Sequence, residues 1–121
     1  MKRLIFVCLL LASPAALLAA DVPVVENVEL QPLVAQVNRL TEALDVLGEP
    51  LPDEVQTALK ESAAATDRKA ATRQIQETLD PLCLFVVSIN PEMRVKVAQG
   101  PAKPELVAQG WRQFLVKVLN E

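Results

Sequence analysis

Asp80-Pro81-Leu82-Cys83-Leu84-Phe85-Val86-Val87-Ser88-Ile89 is the stretch on which the reading of this chain turns. Before it, apolar residues recur every three or four positions; after it, they alternate. Pro81 has no amide to donate and disfavours helical backbone at its predecessor, so the helical part ends at Asp80. Residues 82–89 form a nearly continuous run of β-branched, aromatic and aliphatic side chains, which predicts a strand buried on both faces. Asn90-Pro91-Glu92 signals a turn. Met93, Val95 and Val97 then alternate with Arg94, Lys96 and Ala98, the pattern of a half-buried strand. Gly100-Pro101-Ala102-Lys103-Pro104 is a rigid loop, residues 105–109 add a single helical turn, and residues 111–119 return to strand. In that last strand Phe114, Val116 and Val118 are expected on one face and Lys117 on the other.

Upstream the pattern is helical. Leu30, Leu33, Val37, Leu40, Leu44 and Leu47 follow a strict alternation of three and four, one apolar seam with Arg39, Glu42 and Asp45 opposite and Gly48 placed to end the helix. The seam is read as packing on the next helix, with partner binding as the sharper alternative. Pro50 and Pro52 break the chain, and Asp53 and Glu54 sit at the positive end of a second helix whose apolar positions are Val55, Ala58, Leu59 and Ala63. Asp67 can cap a third helix reaching Leu79, with Ile75 and Leu79 facing the core. Its charges Asp67, Arg68, Lys69, Arg73 and Glu77 read as a solvated face. The fold class that follows is α+β: two or three amphipathic helices over residues 30–80, then about three strands over residues 81–121 resembling the start of a β-sandwich. Open edges after the third strand predict that the β segment is incomplete or pairs with another chain.

The N-terminus sets the compartment. Lys2 and Arg3 precede an apolar run over residues 4–18, and Leu18-Ala19-Ala20 meets the acidic Asp21. Together these describe a signal peptide over residues 1–20, followed by an extended Val-rich leader over residues 21–29. An uncleaved anchor is the alternative, opposed by Ser13 and Pro14 in a run too short to span comfortably. The protein is thus expected to be exported, periplasmic or secreted. Cys8 leaves with the signal, so Cys83 stands alone, either buried as an apolar residue or present as a free thiol.

Of 12 basic residues two are lost with the signal, and the remaining ten face 15 acidic ones. A net charge of −5 disfavours nucleic acid and anionic membranes, so the expected partner is a protein or a second strand edge, with no nucleic acid and no membrane after cleavage. The chain has no histidine, which removes the commonest transition-metal ligand and the usual general base. Ser62, Thr66, Thr72, Ser88 and Cys83 therefore lack an imidazole to activate them. The carboxylate pairs Asp53/Glu54 and Asp80/Glu92 fit structural roles at helix starts and turns better than acid–base work. Lys96 and Lys117 need desolvation to act as nucleophiles, and their alternation with valines places them toward solvent. Trp111 can stack on a ring, though a core-edge anchor is the plainer reading. The sequence predicts no enzyme, no catalytic, cofactor-binding or metal-ligating residue, and no cofactor.

Leu79-Asp80-Pro81-Leu82-Cys83, Ile89-Asn90-Pro91-Glu92-Met93-Arg94-Val95-Lys96-Val97, Gly100-Pro101-Ala102 and Gly110-Trp111-Arg112-Gln113-Phe114-Leu115-Val116-Lys117-Val118 resemble the N-terminal accessory region of large secreted bacterial proteins of planctomycete type. In many of these a β-domain precedes a PHP-like metallohydrolase domain of the CehA/McbA kind. The resemblance implies that the family's metal-binding His and Asp residues lie beyond Glu121 and that no position here receives them. Two functions follow as expectations. One is an exported, non-catalytic helical and β module for protein interaction or domain packing. The alternative is a truncated accessory part of a secreted metal-dependent hydrolase, inactive alone. N-terminal sequencing of the exported product is expected to return Asp21 or a near neighbour; a chain still starting at Met1 and extracting with membranes would contradict the signal.

Overall fold

A computed structural model of the chain describes residues 21–120. The predicted signal over residues 1–20 lies outside the described residues. The order of elements is α1 (Leu30–Val46), α2 (Asp53–Ala64), α3 (Arg68–Leu79), a 3-10 turn η1 (Asp80–Leu82), then β1 (Cys83–Ile89), β2 (Val95–Gln99) and β3 (Leu115–Asn120). This is the α+β class expected, with all three helices present and the strands in one mixed sheet.

Each helix has a legible cause. Pro32 falls in the first turn of α1, where amides have no intrahelical acceptor to lose. The helix ends where Gly48 takes φ +80°, with Gly48 N–H donating to Asp45 O and Glu49 N–H to Leu44 O, the paired bonds that satisfy terminal carbonyls. In α2, Asp53 and Glu54 occupy the first turn. In α3, Asp67 Oδ1 accepts from the amides of Lys69 and Ala70 at 3.0 Å each.

The helices build the main core. Leu30, Val37, Leu44, Leu51, Leu59, Ala71 and Ile75 are buried together, with Leu33, Leu40, Val55 and Leu79 packed against them. The α1 seam is thus a core seam up to Leu44. Leu47 departs from it, 57% exposed beyond the end of the helix, because the turn at Gly48 redirects the chain and Leu51 fills the place below. Ser62, Thr72 and Gln76 are also buried. Ser62 Oγ donates to Ala58 O and Thr72 Oγ1 to Lys69 O, so their hydroxyls are satisfied within their own helices.

Gln76 reaches further: Val25 N–H donates to its Oε1 at 2.8 Å and its Nε2 donates to Val25 O at 3.0 Å. This reciprocal pair clips the leader to α3. Beside it Glu26 meets Arg73 at 2.9 Å and Lys69 at 3.9 Å. Part of the charged face read as solvated therefore holds the leader, though such exposed pairs contribute only about 0–1 kcal/mol each.

β1 is central. It pairs antiparallel with β2 (Val87 opposite Val97) and parallel with β3 (Val87 opposite Val118). The 100–114 loop carries the chain past the start of β1 to reach the far side. Its path is tight: Gly100 N–H donates to Leu84 O at 2.7 Å, Ala102 N–H to Cys83 O at 3.1 Å, and a Cβ on Gly100 would lie 2.1 Å from Cys83 O. The residues expected to make one helical turn, 105–109, form no helix. Pro104 and Gly110 bracket too short a segment to repay nucleation.

Ile75 is 1% exposed at the centre of the helical core. Ile75→Ala is expected to lower stability by about 2–5 kcal/mol through lost transfer energy and the cavity left behind, measured by denaturant unfolding. Val46→Ala, at an 88% exposed position, should change it by less than about 0.5 kcal/mol.

Candidate functional site

The sheet has two unlike faces, and register decides which residues go where. Val86, Ser88, Lys96, Ala98, Lys117 and Leu119 share one face by their cross-strand pairing. Phe85, Val87 and Ile89 of β1, Val95 and Val97 of β2, and Val116 and Val118 of β3 share the other. The first face is the more covered, with Val86 at 5% exposure and the Lys117 side chain at 13%. On the second, Phe85, Val95, Val97, Val116 and Val118 all remain 42–62% exposed. None of the helices packs broadly on it.

Three expectations are corrected by this arrangement. β1 is not buried on both faces, because Phe85 looks out to solvent. Val95 and Val97 are the exposed side of β2, and Met93 lies in the turn with φ +62° and 82% exposure. In β3 the alternation is inverted: Leu115, Lys117 and Leu119 turn toward cover and Val116 and Val118 toward solvent. A bulge in β1 between Cys83 and Phe85 shifts the register against β3 by one residue, and a one-residue shift exchanges the faces of a strand.

The inversion brings Lys117 to Asp80. Its Nζ donates to Oδ1 at 2.8 Å and to Oδ2 at 3.0 Å, with side chains only 13% and 12% exposed. Lys117 is thus withdrawn from solvent as a nucleophile would need, yet its ammonium is committed to both oxygens of a carboxylate. Cys83 lies beside this pair, buried, its Sγ donating to Leu79 O at 3.6 Å. Burial pushes the Cys83 thiol up from its ordinary range, the Asp80 carboxylate pushes the same way, and the Lys117 ammonium opposes them. The cysteine is consequently a protonated, packed thiol at neutral pH, and the buried alternative of the two sequence readings is the one present.

The other candidate groups stay apart. Glu92 pairs with Arg94 at 3.1 Å in the turn beyond β1, at the opposite end of that strand from Asp80, so these carboxylates form no acid–base pair. Asp53 and Glu54 are adjacent in the first turn of α2. Trp111 is 90% exposed on the 100–114 loop and anchors no core edge; β3 begins only at Leu115, so Trp111 lies outside the sheet. Leu106 on the same loop is 86% exposed. Among the described residues no three His, Cys, Asp or Glu side chains come together as a metal-ligand set.

A shallow recess lies where the α1–α2 connection meets the 100–114 loop, bordered by Glu49, Leu51, Pro81, Arg112 and Gln113. Glu49 Oε2 accepts from Gln113 N–H at 3.0 Å, pinning loop to linker, while Gln113 Oε1 is buried without a partner. No protein-family model, curated protein or solved structure matches the chain.

The Asp80–Lys117 pair yields a test. Asp80→Ala alone strands a largely buried ammonium and is expected to cost about 3 kcal/mol, whereas Asp80→Leu with Lys117→Met should be near neutral. Because the Cys83 thiol is raised in the folded state, its contribution to stability is present below its unfolded pKa and lost as pH rises through the alkaline range. Denaturant midpoints of the two variants, and of Cys83→Ala against the parent from neutral to alkaline pH, check both statements.

Proposed function

We propose that this chain is an exported, non-catalytic module that works by protein interaction or domain packing, and that its working surface is the outer face of the sheet. The observation that carries this reading is the chemistry of that face. Seven aliphatic or aromatic side chains from three strands form one continuous surface with no charged residue among them, flanked only by Gln99 and Asn120. Soluble proteins leave single hydrophobic residues exposed freely, but a contiguous apolar patch of several hundred Å² marks a contact site.

The polar chemistry of the chain supports the same reading. Its best-placed lysine is tied to Asp80, Cys83 is packed as a protonated thiol, and the hydroxyls of Ser62 and Thr72 are spent on helix carbonyls. Each of these groups is explained by folding alone. The accessory-region alternative uses the same face, packed against a hydrolase domain; a reading frame continuing into a His- and Asp-rich domain would distinguish it.

Val97→Lys and Val118→Lys test the surface. Both positions are more than half exposed, so in solution dilute enough to keep the chain monomeric each variant is expected to melt within a few degrees of the parent while losing most of the parent's fluorescence enhancement of an uncharged hydrophobic dye. A monomeric parent that binds no dye, or variants that unfold, would show that the face is covered within the chain itself and would overturn the reading.

A further inference from the structure

We propose that the occupant of this face is a second copy of the same chain, stacked face to face through a two-fold axis so that two three-stranded sheets form a six-stranded sandwich. The proposal rests on the interaction reading above and names its partner. Three observations select a copy over a foreign chain.

The first is charge. An unlike partner is usually recognised through complementary charges, but Phe85, Val95, Val97, Val116 and Val118 offer none. A surface without charge is complementary to itself, which is what an isologous contact requires. The second is shape. Four of these five residues are valines of one height on a pleated surface, and short β-branched side chains interdigitate when two sheets stack about 10 Å apart. The third is closure. The opposite face carries Lys96 and the Asp80–Lys117 pair, so a second stacking event would have to desolvate charge. One apolar face and one charged face give a closed dimer, whereas two apolar faces would give a fibre.

The area is adequate for a reversible dimer. The exposed parts of these five residues amount to on the order of 450 Å² per copy, within the range of the largest, often functional, patches on ordinary monomers. Two such faces remove on the order of 900 Å², and Val87, Ile89 and the ends of the strands bring the total toward the lower limit of about 1,200 Å² for specific interfaces. An interface of that size belongs with weak, reversible contacts, which a concentration series centred on the micromolar range would reveal.

Sedimentation of the purified gene product, as the cell processes it, decides the matter over a concentration series through that range. The expected result is a monomer–dimer equilibrium that Val97→Lys and Val118→Lys each shift at least tenfold toward monomer with unchanged far-UV circular dichroism. Val87→Lys and Val87→Glu, at the centre of the face, should each be monomeric and should regain the dimer when mixed in equal amounts. Should the Val87 variants fail to fold, Val97→Lys mixed with Val97→Glu takes their place. A dimer indifferent to Val97→Lys and Val118→Lys would mean pairing through strand edges and would overturn the proposal. So would species growing without limit. A monomer at every concentration would also overturn it; if that monomer still enhances dye fluorescence and Val97→Lys abolishes the enhancement, the interaction surface stands with another occupant, and if it does not, both readings fall.

Discussion

A two-oxygen ion pair between Asp80 and Lys117 joins the helical and β halves of this protein where β3 turns toward the helices. Asp80 is the residue by which α3 passes into η1, and Lys117 lies in the middle of an edge strand 37 positions later. Leu82 and Leu115 pack against the helical core beside this pair and Gln113 N–H donates to Glu49, while the helices otherwise pack mainly on one another and the strands on one another. The pair also has a geometric consequence that its energy does not convey. With side chains alternating along β3, placing Lys117 on the helix side places Val116 and Val118 on the other. Seating Leu115 and Lys117 on the helix side therefore leaves the valines as the apolar outer face. Desolvating two charges makes such a pair a weak source of net stability, but it is a strong selector of register.

The helical half was legible because its seam is long and regular. Leu30 to Leu44 repeat at helical spacing, Asp67 and Gly48 punctuate, and each signal acts within a few residues. The strands were legible as strands for the same reason. What could not be read was which side of each strand is covered. Val116-Lys117-Val118 is the same string whether the valines or the lysine turn inward, and hydrophobicity alone favours the valines. The outcome depends on a bulge at Cys83–Phe85 and on a carboxylate in another element, neither of which leaves a local mark. The outer face leaves no mark of itself as a surface in the sequence on this account, since the apolar pattern points all its members toward burial.

Gln76 shows the same limit on the helical side. It stands in a polar stretch of α3 and its sequence surroundings describe a solvated helix, yet it is 7% exposed. Its amide presents a donor and an acceptor side by side, and the backbone of Val25 presents the matching acceptor and donor. A buried amide that satisfies both groups on one extended residue holds that segment as a strand neighbour would, without a strand. The leader thus has a defined seat although it forms no regular element.

Where the sheet is most exposed to other chains differs from what open edges suggest. β2 is five residues long, carries Lys96, and is preceded by a turn with Met93 at φ +62° and the Arg94–Glu92 pair. Short length and lysine are the usual protections of an edge. β3 is six residues long and has Lys117 at its middle, turned to Asp80. Edges so short offer few backbone hydrogen bonds to an incoming strand, each of modest net value once water is displaced. The outer face offers a continuous apolar area whose burial is favourable in proportion to its extent and needs no alignment of donors with acceptors. Between a short, lysine-marked edge and an uncharged face of valines, the face dominates the energetics of association. That ordering follows from the register of β3, in which the bulge in β1 sets Leu115 and Lys117 toward the helices and Val116 and Val118 away from them.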